Sequence, residues 1–257
     1  MSEWYALIDN SSLVNFLFYP RRQHSKPRGN AFDLVVPVEN EISITCRAFP
    51  ADHNKPWLLY FHGNGEVVSD YDGIAPMYNQ PGLNLLVADY RGYGASGGSP
   101  AFTDMVKDAV TIFHHVYDAV PPEGEEYQWY VMGRSLGSIS ALELAAQFPG
   151  KLKGLIVESG FISVTGLIDH LGLPSPGDLS ALEEESRRLA GSIELPALVI
   201  HGKQDRLVPL EQGKDLYQTL GSEQKELLVI PGADHNDIMF VDPEQYMQAV
   251  EKFILGQ

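Results

Sequence analysis

The stretch Gly133-Arg134-Ser135-Leu136-Gly137 follows the apolar run Gln128-Trp129-Tyr130-Val131-Met132 and opens onto the helical pattern Ser138-Ile139-Ser140-Ala141-Leu142-Glu143-Leu144-Ala145-Ala146. That order spells strand, sharp turn, helix. A serine at such a corner is pushed up out of a sheet, and glycines flank it because a Cβ at either position would collide with the adjoining strand or helix. The stretch reads as a nucleophile elbow. A second Gly-x-Ser-x-Gly, Gly94-Ala95-Ser96-Gly97-Gly98, lacks this setting, since its strand has ended near Asp89 and Pro100 interrupts any helix behind it. Ser96 therefore reads as part of a glycine-rich surface loop.

Around the elbow, apolar runs alternate with helix-like stretches. The runs are Trp57 to Phe61, Leu83 to Ala88, Gln128 to Met132, Leu152 to Val157, Leu195 to Ile200 and Glu226 to Ile230, which argues for βαβ units and a parallel sheet. Two earlier runs, Phe32 to Val38 and Glu41 to Phe49, are so close in sequence that they predict an antiparallel hairpin, making eight strands. The best helical period runs from Thr103, its expected N-cap, to Val120, where Pro121-Pro122 stop it. A weaker terminal helix is expected over Val241 to Leu255, with Tyr246, Val250 and Phe253 facing the sheet. No repeat or linker divides the chain, so residues 1–257 are expected to form a single domain, with residues 159–194 as a small cap inserted in it. Within that insertion, Glu183, Glu184 and Glu185 face Arg187 and Arg188 at helical spacing, the pattern of a solvated helix face.

Composition narrows the function. Acidic residues number 34 against 18 basic ones, a net charge of −16 that disfavours a nucleic-acid partner. No run is long enough to cross a bilayer, and the N-terminus lacks a basic region followed by an apolar one, so a soluble cytoplasmic protein without an integral membrane segment is expected. The short apolar patch Leu13 to Tyr19 is expected to pack on the domain edge. Cys46, the one cysteine, lies in an alternating run and reads as a buried structural thiol.

A serine hydroxyl needs a base to take its proton and an acid to orient that base. Of 8 histidines, His235 lies just beyond the last strand, where a loop can hang its imidazole over the carboxyl edge of the sheet. His114 and His115 are mid-helix, and His24, His53 and His170 have no catalytic context. Asp205, in the loop after the next-to-last strand, is the expected acid, with Glu158 at the end of the preceding strand as runner-up. Asp234 and Asp237 read as turn-forming residues. The oxyanion requires two backbone donors. Leu136 N–H is one, and Asn64 N–H, with Gly65 as alternative, is the other; His62 reads as a support for that loop. Asp89 to Gly94 reads as structural more than substrate-binding, with Tyr90 or Tyr93 as candidates for the pocket mouth.

Taken together, His62-Gly63-Asn64-Gly65, Asp89-Tyr90-Arg91-Gly92-Tyr93-Gly94 and Gly133 to Gly137 resemble the α/β-hydrolase superfamily, in its short-cap serine esterase branch. The later motifs His201-Gly202 through Asp205 and Asp234-His235 match as well, so the resemblance runs from about Phe32 to the end of the chain. It implies an α/β-hydrolase fold with a mostly parallel eight-stranded sheet, helices on both faces, and catalysis by Ser135, Asp205 and His235. The expected chemistry is ester hydrolysis (EC 3.1) on a small-molecule ester or thioester, with no cofactor and no metal. Thioesterase, peptidase or acyltransferase activity with the same residues, or a silent binding protein on this fold, are the alternatives. A small cap implies an open site favouring small or medium acyl groups, and neither the physiological substrate nor the oligomeric state is encoded in a readable form.

Overall fold

A computed structural model describes residues 2–52, 54–119 and 128–256. Val120, Pro121, Pro122 and His53 lie outside the described residues. Eight strands form one sheet in the order β1-β2-β4-β3-β5-β6-β7-β8, comprising β1 (Phe32–Glu39), β2 (Ile42–Phe49), β3 (Trp57–Phe61), β4 (Asn84–Ala88), β5 (Trp129–Arg134), β6 (Leu152–Glu158), β7 (Ala197–Gly202) and β8 (Lys225–Ile230). β1 pairs antiparallel with β2 and β2 antiparallel with β4, while β3 through β8 are joined by parallel ladders. This is the expected α/β-hydrolase architecture.

The side-chain alternation of a strand sends neighbouring residues to opposite faces, and both faces are covered. Leu59 and Phe61 of β3 join a core closed by the helices Phe102–Ala119, Ser138–Gln147 and Ser180–Gly191, through Phe113, Leu142 and Leu189. Leu58 and Tyr60 join a second core with Tyr78, Tyr246 and Val250, the last two from the helix Pro243–Leu255. Near-continuous apolar strands such as β3 and β4, buried along their whole length, follow from this double cover.

β3 pairs with β4 on one side and β5 on the other, so the strand order reverses there. A crevice opens at such a point beyond the carboxyl ends of the strands. The segments leaving β3, β5, β7 and β8 therefore converge on one edge.

The helix expected from Thr103 begins one residue earlier, and its cap comes from far away in sequence. Asp9 accepts the Phe102 N–H at 2.8 Å and the Thr103 N–H at 2.9 Å, bridging the N-terminal segment to the helix start. The patch Leu13 to Tyr19 also goes deeper than the domain edge, because Leu13, Leu17 and Phe18 are buried in the main core. Among the described residues no helix is long and apolar enough to cross a membrane. Cys46 is buried, and burial pushes its thiol well above the ordinary range.

Candidate active site

β5 delivers Ser135 to the crevice on a turn that few residues tolerate. Ser135 has φ 51°, in the left-handed region where a non-glycine residue is strained. The turn closes tightly, with Ser138 Oγ donating to Ser135 O at 2.6 Å. A Cβ on Gly133 would run into the backbone of Gly137, and one on Gly137 would meet the β3 exit, with the Phe61 carbonyl carbon 2.7 Å and His62 O 2.9 Å away. Because those obstacles are backbone, Gly137→Ala is expected to lower stability by about 3 kcal/mol, read as a shift in the urea unfolding midpoint. An unchanged midpoint would show that the elbow can open without cost.

The three residues expected to act together meet in one hydrogen-bonded line. Ser135 Oγ lies 2.9 Å from His235 Nε2, and His235 Nδ1 lies 2.8 Å from Asp205 Oδ2. The other Asp205 oxygen accepts the N–H groups of Leu207 at 3.0 Å and Val208 at 2.8 Å. Burial raises the Asp205 carboxyl, but the hydrogen bond and charge of His235 and the Val208 N–H outweigh it, leaving the group below its ordinary value. His201, buried beside Asp205, holds Val208 O with Nε2 at 2.8 Å. Burial pushes its imidazole towards the neutral form.

The loop after β3 is braced on every side. His62 Nε2 lies 3.2 Å from Asp89 Oδ1, which also accepts the Val68 N–H at 2.9 Å, so His62 supports the loop as expected. The Asn64 side chain donates to Leu17 O at 3.0 Å and accepts from Tyr19 N at 2.8 Å and Tyr93 Oη at 2.7 Å. Arg21 Nη1 donates to Gly65 O at 3.0 Å. The N-terminal segment thus runs along the rim of the site, a placement that strand and helix periodicity does not reveal.

Three expectations are revised by these contacts. Glu158 does not reach the imidazole; it accepts from Arg134 Nε at 3.1 Å and from Tyr246 Oη at 2.6 Å. Tyr90 and Tyr93 are buried, at 4% and 0% exposure, so neither lines a pocket mouth. Ser96 is buried as well, at 1%, and accepts the Thr45 N–H at 3.0 Å, tying its loop to β2 where a surface loop was expected. The structural reading of Asp89 to Gly94 agrees with Arg91, which pairs with Asp108 at 2.8 Å. Asp234 and Asp237 shape the turn, through His235 N to Asp234 Oδ1 at 2.7 Å and Asp234 N to Asp237 Oδ1 at 2.7 Å. The Glu183 and Arg187 face is solvated, and Arg187 also reaches Asp215.

Sequence reading missed the guanidinium of Arg134. It lies under the site, donating from Nη2 to His235 O at 2.8 Å and to Asn236 Oδ1 at 3.1 Å, and from Nη1 to Glu66. Glu66 in turn accepts the Gly63 N–H at 3.0 Å and the Tyr71 hydroxyl at 2.7 Å. Burial raises the Glu66 carboxyl, and the charges of Arg134 and His62 together with the hydrogen bonds from Tyr71 and Gly63 outweigh it to hold the group below the ordinary range. Beside this network is a cavity of about 150 Å³ walled by Tyr60, Tyr71, Ile74, Ile238 and Met239. The available signal was a charged residue at the end of a fully buried strand. Among the described residues no group of three or more His, Cys, Asp or Glu is arranged to hold a metal ion.

A family model described as serine aminopeptidase, S33 (Hydrolase_4), matches residues 52–176 and 177–243. The chain belongs to this family. Its members' α/β-hydrolase fold is the fold found here, and the chain is a hydrolase of that class. Protein bem46 of Schizosaccharomyces pombe is 29% identical over 210 residues, covering 78% of this chain and 68% of that protein. The uncharacterized protein YfhR of Escherichia coli K12 is 27% identical over 256 residues, covering 95% of this chain and 87% of its own. In structure, the esterase Pf2001 of Pyrococcus furiosus superposes with a TM-score of 0.74 at 20% identity, covering 93% of this chain and 99% of that one.

Proposed function

We propose that this S33-family chain is a serine hydrolase that cleaves carboxylic esters through an acyl-enzyme on Ser135. The observation that carries the reading is the line from Ser135 Oγ to His235 Nε2 at 2.9 Å and from Nδ1 to Asp205 at 2.8 Å. Ser135 Oγ bonds to the ester carbonyl carbon while its proton passes to Nε2, and the resulting imidazolium is stabilised by the Asp205 carboxylate. The carbonyl electrons collect on an oxyanion held by the N–H groups of Leu136 and Asn64. The bond to the alcohol oxygen then breaks as Nε2–H protonates it, and a water deprotonated by His235 releases the acid and frees Ser135. The engaged side chain of Asn64 supports its assignment, because it fixes the backbone on which the donor sits. In this reading residues 159–194 form a small cap within a single 257-residue domain, and the compartment is the cytoplasm, where the lone Cys46 needs no disulfide partner.

The test is covalent labelling by a fluorophosphonate together with turnover of p-nitrophenyl esters, an acyl thioester and an aminoacyl p-nitroanilide. Labelling at Ser135 and a greater kcat/KM on acetate and butyrate than on palmitate are expected. A chain that stays unlabelled is not a serine hydrolase. Preference for the anilide would replace the esterase reading with the peptidase one that the family's description suggests.

A further inference from the structure

We propose that Arg134 and Glu66 form a clamp that sets the position of His235 against the oxyanion loop, acting as positioning residues for the reaction at Ser135. The inference rests on the catalytic reading of Ser135 and His235 above. One residue links all three parts of that machinery. In the chain it directly precedes the nucleophile. By Nη2 it holds the main-chain oxygen of His235 at 2.8 Å, and by Nη1 it holds Glu66, whose other oxygen takes the Gly63 N–H at 3.0 Å, one residue before Asn64. Nε is anchored on Glu158 at 3.1 Å, so the plane of the guanidinium cannot swing. Gly63 takes part through its lack of a side chain, since a Cβ there would press on Nη1.

Stability alone does not account for this arrangement. A buried ion pair is seldom better for folding than apolar residues of the same shape, because desolvation offsets its Coulomb attraction. A planar fork, by contrast, fixes several acceptors in one geometry, which a lysine ammonium does not. Catalysis is where such geometry matters, since a misplacement near 1 Å at reacting groups costs on the order of 100-fold in rate. The base and the oxyanion loop arrive from β8 and β3, which lie far apart in the strand order, so a direct tether between them has a task that no neighbouring strand performs.

The experiment compares the full chain with Glu66→Gln, Arg134→Lys, the double variant, and Asp108→Asn as a control that breaks the Arg91 pair away from the site. Each is assayed with p-nitrophenyl acetate, normalised to folded enzyme by circular dichroism, and by the rate of fluorophosphonate labelling. Glu66→Gln keeps the shape of the side chain and Arg134→Lys keeps the charge. Both are expected to lower kcat and labelling rate roughly 10- to 100-fold with KM within about threefold. The double variant is expected to be no worse than the poorer single one, because both cut the same tether. Asp108→Asn is expected to lower Tm while leaving kcat per folded molecule unchanged. A wild type that labels at Ser135, with Glu66→Gln and Arg134→Lys both within about threefold of its kcat, overturns the clamp and leaves the catalytic reading standing. Full rescue by Arg134→Lys also overturns it, by showing that charge suffices. A wild type that does not label removes the catalytic reading, and the clamp with it.

Discussion

Ser135→Ala is expected to lower kcat for p-nitrophenyl acetate roughly 10,000- to 1,000,000-fold while leaving the fold intact. Alanine removes only Oγ, so His235 Nε2 loses the hydroxyl 2.9 Å away and no acyl-enzyme can form. What survives is substrate binding and the oxyanion donors, the usual source of residual rate in a serine hydrolase that has lost its nucleophile. The backbone explains why stability should not follow activity. The strain at φ 51° belongs to any residue with a Cβ, so alanine inherits it, and the Ser138 hydroxyl still donates to the main-chain oxygen. Ser135→Gly removes the Cβ and is expected to raise stability by about 1 kcal/mol in urea unfolding while being equally inactive. Activity lost and stability gained at one position would mark strain retained for chemistry. Retention of more than about 1% of wild-type kcat by Ser135→Ala would remove Ser135 as the nucleophile.

The elbow was legible because its requirements are local. Two glycines, a preceding apolar strand and a following helix all sit within twenty residues, and the decoy at Ser96 lacked both neighbours. The strands were legible for the same reason, with boundaries that moved where polar residues extend them: Arg134 and Glu158 close β5 and β6, and His201 carries β7 on to Gly202. Hydropathy stops at the last apolar residue, whereas hydrogen-bonded pairing carries on into the side chains that build the site.

What escaped was non-local. Nothing around Asp9 announces a cap for a helix beginning at Phe102, and nothing in Leu17 to Arg21 announces contact with Asn64 and Gly65. Buried charge escaped too. Arg47 is 0% exposed in β2 and is satisfied by Asp33 and Asp72, from β1 and the segment after β3. Burial of a charged group is tolerable only when its partners are in place, and sequence does not show partners that arrive from other elements. Arg134 and Glu66 are the same case at the site, which is why the grouping of Ser135, His235 and Asp205 could be anticipated from motif order while the ion pair beneath them could not.

Asp205→Asn is expected to cost about 10,000-fold in kcat, for a reason set by the backbone around it. One carboxylate oxygen is committed to two N–H donors, Leu207 at 3.0 Å and Val208 at 2.8 Å. An asparagine must place its carbonyl oxygen there, since an amide NH₂ would oppose both donors. That turns the NH₂ towards His235 Nδ1, which then accepts a hydrogen bond and leaves the proton on Nε2. An imidazole protonated on Nε2 cannot take the Ser135 proton. The same residue links acid to stability. Its carboxyl is held below the ordinary value of 3.8 in the folded protein, so its contribution is complete above that value and is lost as pH falls through the folded one. The stability difference between wild type and Asp205→Asn is therefore expected to change little from pH 7 to 5 on account of this group and to move against the wild type below pH ~4, as followed by urea unfolding. An Asn variant with near-normal kcat would show that the imidazole takes its tautomer from another partner, and His201, 3.5 Å from Asp205 Oδ2, would be the residue to examine next.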